Sequence, residues 1–196
     1  MANRGLATSM QILAFLYAAL TLLLAVAAVV LGTVKPFDWR FPVSLLASFV
    51  FLGCAVLFGV WLAGIYRNAS PALPMQASSG WTIGSWYIPV ANIGTPHGPM
   101  LQLWRRSTGQ EPGAGVWTWL LAWSLWWSLS LVTSVAGFVV GVGAGIGAAE
   151  AGNGTNPTVH MPAWLAWLDL VQAVVIVVAA VGLLVASNTL QRAEPH

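Results

Sequence analysis

Few residues in this 196-residue chain could do chemistry, and they are scattered. It has seven Lys and Arg, five Asp and Glu, three His and one Cys. No HExxH, GxSxG or P-loop string occurs, no two histidines stand at metal-ligand spacing, and no serine has a histidine and an acid in an identifiable arrangement. Cys54 has no second cysteine, so neither an internal disulfide nor a Cys-based metal site is available. The sequence therefore offers no catalytic residue and no metal ligand, and leaves any cofactor unknown. The exception among isolated charges is Asp169, which interrupts an apolar run from 163 to 187. An ionisable group in such a run is costly and by default marks function. Gln172 follows three positions later, on the same helical face. The pair reads as a titrating or cation-binding carboxylate with an amide beside it. The plainer alternative is an acid favoured by a helix N-terminus and hydrogen-bonded to a neighbouring helix.

Two further sets stand out. Trp119, Trp123 and Trp126 fall at i, i+4 and i+7, one face of a helix, with Trp117 and Trp127 turned to other sides. Trp126 and Trp127 lie deeper than an interfacial belt requires, so their indole N–H groups need acceptors, which Ser124, Ser128 or Ser130 could supply. The set reads as the wall of a pocket for a lipid, quinone, pigment or organic cation, or as helix packing with large rings. The second set is Arg67, Asn68, Asn92, His97, Arg105 and Arg106, which could line a polar pocket for a headgroup phosphate or could cap helix ends. Gly137, Gly141 and Gly145 are spaced as a small-xxx-small stripe that allows close helix contact within the chain or with a partner.

The elements that must position these residues follow from composition. Fifty-eight per cent of residues are apolar and 6% are charged, against about 25% charged in a soluble domain. That excludes a soluble globule, and it excludes a disordered chain, which would be polar and charged. The net charge of +2 comes without a basic patch, which points to anionic lipid headgroups as partners and not to nucleic acid. A helix needs about 20 apolar residues to cross roughly 30 Å of hydrocarbon. Four segments meet this, at about 10–34, 43–66, 116–140 and 163–187. None alternates as a barrel strand would, and the first is too long for a signal-peptide core. Trp39, Trp81, Trp86, Trp104, Trp117 and Trp164 near the span ends read as an aromatic belt, as does Trp119. With the N-terminus inside, Arg4, Arg67, Arg105, Arg106 and Arg192 face the cytoplasm against only Lys35 and Arg40 outside, so both termini are expected to be cytoplasmic.

The connection from 67 to 112 is too long and apolar for a plain loop. After a polar linker, Gly80 to Trp104 is apolar but contains Pro89, Pro96 and Pro99. Such a stretch can enter hydrocarbon only where protein or water satisfies its freed backbone groups. The expected fold is thus one all-α membrane domain: four transmembrane helices plus a proline-broken interfacial or re-entrant segment on the cytoplasmic side.

Trp61, Tyr66-Arg67-Asn68, Ser79-Gly80-Trp81, Trp86-Tyr87-Ile88-Pro89-Val90-Ala91-Asn92, Pro96, Met100 and Leu103-Trp104-Arg105 occur in the order of a group of bacterial membrane proteins. The chain resembles domain of unknown function family 4328 from Trp61 to Arg106, and more loosely in its four-span layout. It departs from the family pattern at Gln102, where a Glu is usual, at the linker prolines Pro71 and Pro74, and at His97, where an aromatic is common. The resemblance implies a protein of the bacterial inner membrane and no assigned reaction. The leading functional expectation is a non-enzymatic accessory or structural subunit that binds lipid, a hydrophobic ligand or partner helices, with the glycine face of the third span as the surface for a partner or a second copy. The alternatives are a small transporter or proton/ion pathway using Asp169 and, third, an intramembrane lipid enzyme. Reporter enzymes fused to either end should both be active on the cytoplasmic side; activity on opposite faces would overturn the four-span topology.

Overall fold

The computed structural model describes residues 3–31, 40–69, 77–88, 91–150 and 162–193. Lys35, the Phe37–Trp39 turn, Pro71, Pro74, Pro89, His160 and His196 lie outside the described residues, as do the side-chain surroundings of Arg40 and Gly145. Every regular element among the described residues is helical: α1 (Asn3–Leu31), α2 (Arg40–Asn68), α3 (Ser79–Gly84), a 3₁₀ turn (Ala91–Ile93), α4 (His97–Thr108), α5 (Ala114–Glu150) and α6 (Ala163–Ala193). Helices α1, α2, α5 and α6 are the four long and apolar enough to cross a membrane. Their exposed side chains are largely Leu, Val, Ile and Phe. That is the expected surface when lipid and not water is the solvent, because hydrocarbon carries no penalty for apolar contact.

Around the bundle the long helices follow the order α2, α1, α6, α5, and each packs on its neighbour in that order. Small side chains set the α1–α6 seam. Ala7, Ala14, Ala18 and Ala25 on α1 and Ala173, Ala179, Ala180 and Ala186 on α6 are all buried. With no hydrophobic force between helices in lipid, close backbone approach through small residues supplies the attraction. One polar clamp adds to the seam: Gln11 Nε2 donates to Ser187 Oγ at 2.7 Å and to Asn188 Oδ1 at 3.1 Å. It also fixes the start of α1 beside the end of α6, so these two ends share one end of the bundle.

Helices α5 and α6 touch most closely at Gly182. A Cβ there would lie 2.7 Å from Trp119 Cβ and 2.8 Å from its Cα. By contrast, no described atom lies within 4 Å of a Cβ built at Gly137 or Gly141. Gly137 and Gly141 therefore make no close approach inside the described chain, whereas Gly182 and Gly115, where a Cβ would lie 2.9 Å from Val185, do so without any signal in the sequence.

Helices α2 and α5 share no seam of their own. The broken central segment fills the gap at one end. Ser78 caps α3 by accepting from Trp81 N at 3.2 Å. Helix α4 buries Met100, Leu103 and Trp104, an i, i+3, i+4 stripe, and contacts both α2 and α6. It stops at Gly109, whose φ of 67° is one that L side chains rarely adopt. The segment lies alongside the inner turns of α2 and does not stop at its end. Tyr87 reaches Ala55, twelve positions before Arg67 and about 18 Å down α2 at 1.5 Å per residue.

Gly182→Ala pushes a methyl group into the Trp119 backbone and should cost about 1–3 kcal/mol by overpacking. Thermal unfolding in detergent should show the loss, whereas Gly137→Ala should leave the midpoint unchanged.

Candidate functional site

The gap between α2 and α5 is walled by aromatic rings. Trp86, from the central segment, lies parallel to Trp119 of α5, with ring centres 5.3 Å apart and planes at 11°. Phe58 of α2 meets Trp86 edge-on at 4.9 Å, and Trp123 lies 5.8 Å from Trp86. Such pairs each contribute roughly 0.5–1.5 kcal/mol beyond their area. Rings of this size cannot close the gap as alanines close the α1–α6 seam. They leave a cavity of about 140 Å³, bounded by Tyr17, Phe51, Phe58, Trp86, Trp119, Trp123 and Trp127 and floored by Ile176, Ala179 and Ala180 of α6. Its wall is almost wholly apolar. A dry apolar cavity of this size admits a benzene-sized group.

Asn92 holds the central segment in place. It is fully buried. Its Nδ2 donates to the Trp86 carbonyl, its backbone N–H donates to Ile88 O at 2.8 Å, and its Oδ1 accepts from Trp123 Nε1 at 2.7 Å. One side chain thus satisfies a carbonyl freed by the broken helix and an indole N–H deep in α5. His97 makes a second tie, with Nε2 2.8 Å from Ser124 Oγ and 3.3 Å from Leu120 O. Tyr87 makes the third, donating to Ala55 O at 2.6 Å. Burial against α2 raises the Tyr87 phenol above its ordinary pKa, so it remains a neutral donor. A Cβ on Gly59 would come 2.5 Å from that hydroxyl, so only glycine leaves it room.

The family model described as a domain of unknown function, DUF4328, matches residues 32–188. The chain belongs to this family. The matched region takes in α2 through most of α6, hence every wall of the cavity except the Ala14 and Tyr17 side given by α1. No curated protein and no solved structure matches the chain.

Several sequence expectations change in the fold. Trp119, Trp123 and Trp127 share the cavity, while Trp126 turns toward Tyr17 and Phe51, with ring centres at 6.0 and 5.6 Å. Trp86, Trp104 and Trp119 are buried and are not belt residues, whereas Trp81, Trp117 and Trp164 are exposed. The serines do not accept the deep indole N–H groups. Ser128 and Ser130 donate back to Ser124 O and Trp126 O, the ordinary i−4 bond of a helical serine. Trp123 uses Asn92 instead, and the Trp126 and Trp127 N–H groups are buried without an acceptor among the described residues. The six polar residues of the expected headgroup pocket are not gathered by the described contacts. Asn92 and His97 are anchored on α5, Arg105 pairs with Glu111 at 2.9 Å on the surface, and Arg67 is exposed. Asn68 and Arg106 have interaction partners of their own. Gln172 is tied to α5, with Nε2 donating to Ser130 Oγ at 2.8 Å and Oε1 accepting from Thr133 at 3.1 Å. Asp169 lines a separate crevice with Gln172, Thr21, Leu24 and Ala25. No group of three or more His, Cys, Asp or Glu that could hold a metal occurs among the described residues.

Asn92→Ala strands both the Trp86 carbonyl and the Trp123 N–H, at roughly 1–3 kcal/mol for each buried partner left unpaired. The unfolding midpoint in detergent should drop sharply, and tryptophan emission of the folded variant should shift as Trp86 loosens from Trp119. An unchanged midpoint and spectrum would remove Asn92 from this role.

Proposed function

We propose that this family member is a non-enzymatic, multi-pass protein of the bacterial cytoplasmic membrane, with both tails cytoplasmic, that takes the hydrocarbon part of a lipid or other hydrophobic small molecule into the aromatic cavity between α2 and α5. The observation that carries the reading is the cavity itself: about 140 Å³ with almost no polar wall. An apolar void in a well-packed interior forfeits dispersion contacts that an occupant restores. On the α2–α5 flank the two helices meet only through large rings such as Phe58 against Trp119 and Trp123, so lateral access for a lipid chain needs ring rotation and no movement of closely packed backbones. The positive-inside distribution supports the orientation. The absence of converging acid, base and nucleophile among the cavity residues favours binding over catalysis.

A role as a subunit rests on a different surface. The α5 face carrying Gly137 and Gly141 is open, with Val135, Phe138 and Val142 exposed beside it, a surface that a second helix could approach closely.

Bromoundecanol, whose bromine quenches nearby indoles, tests the cavity. Titrated into the purified protein in detergent, it should quench tryptophan emission along a saturable curve. Ala180→Leu puts a larger side chain on the cavity floor and should weaken that component at least about tenfold in protein that still unfolds cooperatively. Linear, identical quenching in both proteins would overturn the proposal.

A further inference from the structure

The aromatic cavity does not end at its rings. Tyr17 and Phe51 also line a second space of about 260 Å³ between α1 and α2, together with Thr21, Leu24, Ser44 and Ser48. Thr21 and Leu24 in turn line a third space of about 120 Å³ that holds Asp169 and Gln172. Three spaces therefore adjoin in series through shared wall residues. The first is aromatic, the last carries a carboxylate, and Tyr17 and Phe51, with ring centres 5.2 Å apart, stand between. Asp169 and Ile176 are seven positions apart on α6, about 10 Å at 1.5 Å per residue.

The polar groups at the far end form an acceptor set. Thr21 Oγ1 spends its proton on Tyr17 O at 2.7 Å, which leaves its oxygen free to accept. Gln172 spends its Nε2 on Ser130 and receives Thr133 on Oε1, leaving that oxygen a second lone pair. Asp169 makes no hydrogen bond or ion pair among the described residues. Arg4, Arg67 and Arg192 stand at the opposite ends of their helices, and Arg105 is paired with Glu111. One negative charge and three acceptor oxygens suit a group with one positive charge and three N–H donors.

We propose that this series of spaces binds a lipophilic primary amine, with its ammonium group against Asp169, Gln172 and Thr21 and its hydrocarbon chain running past Tyr17 and Phe51 into the aromatic cavity. The inference rests on the cavity taking hydrocarbon and adds the charged head. A bare inorganic cation would satisfy the acceptors but would leave the adjoining apolar space without a role. A neutral lipid would leave Asp169 unpaired in a span, where a lone carboxylate is costly.

The test compares decylamine and decanol, which share a chain and differ in the head, as displacers of bromoundecanol from wild type and from Asp169→Asn at neutral pH. In wild type, decylamine should act at a concentration at least about tenfold lower than decanol. In Asp169→Asn, whose side chain keeps its shape, the two should be equal. Equal potency in wild type, or an amine preference that survives Asp169→Asn, would overturn the proposal. So would displacement of decylamine from wild type by sodium chloride but not by choline chloride at equal ionic strength, which would assign the site to an inorganic ion. Calorimetric titration with decylamine alone separates this inference from the cavity reading. An affinity for decylamine that falls at least about tenfold from wild type to Asp169→Asn upholds the amine site even if neutral alkanols fail to bind, and equal affinity in the two proteins, or no heat in either, overturns it.

Discussion

A polypeptide in hydrocarbon must satisfy each backbone N–H and C=O from within itself, and the stretch between α3 and α4 cannot do so as a helix. It contains Pro89 and Pro96, which have no N–H to donate, and its Tyr87 bonds to Ala55 near the middle of α2. Asn92 resolves the conflict. Its amide accepts from the Trp123 indole and donates to the Trp86 carbonyl, so the segment is fastened to α5 by a fully buried side chain. His97 on Ser124 and Tyr87 on Ala55 fasten it on either side. Without these ties Trp86 would have no reason to stand against Trp119, and the wall of the cavity would be missing.

The cavity is then a consequence of side-chain size. Alanines bring α1 and α6 together, and Gly182 brings α6 onto the backbone of α5. On the opposite flank, Phe58, Trp86, Trp119 and Trp123 hold α2 and α5 apart. Flat rings at tilted and perpendicular angles cannot fill the wedge completely, so a void remains where an aliphatic core would have collapsed. The indole N–H groups of Trp86 and Trp127 are buried without acceptors among the described residues. Each costs about 1–3 kcal/mol relative to a satisfied group, a penalty that a purely structural core would avoid with Phe or Leu.

Along its axis the bundle changes character. The half around Trp119 is aromatic, and the half around Asp169 carries Thr21, Ser130, Thr133 and Gln172 bonded across α1, α5 and α6 or back to their own helix. Hydrogen bonds between spans contribute about 0.6–2 kcal/mol each, enough to orient Gln172 but not to neutralise a charge. Among the described residues Asp169 has no hydrogen-bond or ion-pair partner, while Gln172 beside it is bonded through both ends of its amide. The two halves meet at Tyr17 and Phe51, which touch both.

The sequence by itself determined the solvent, the four spans and the broken segment, because each follows from local constraints: the thickness of hydrocarbon, the missing N–H of proline and the rarity of charge. It also marked Trp119, Trp123 and Asp169, because large rings and a carboxylate are conspicuous in an apolar run. The Asn92–Trp123 bond, the Gln11 clamp on Ser187, the close approach at Gly182 and the turning of Trp126 out of the cavity wall were decided only in three dimensions. Each joins residues far apart in the chain or depends on how a helix is rotated about its axis. The spans are apolar on every side, so their sequences carry no stripe from which that rotation could be read. The rotation is set by which small residue meets which backbone and which buried polar atom finds a partner.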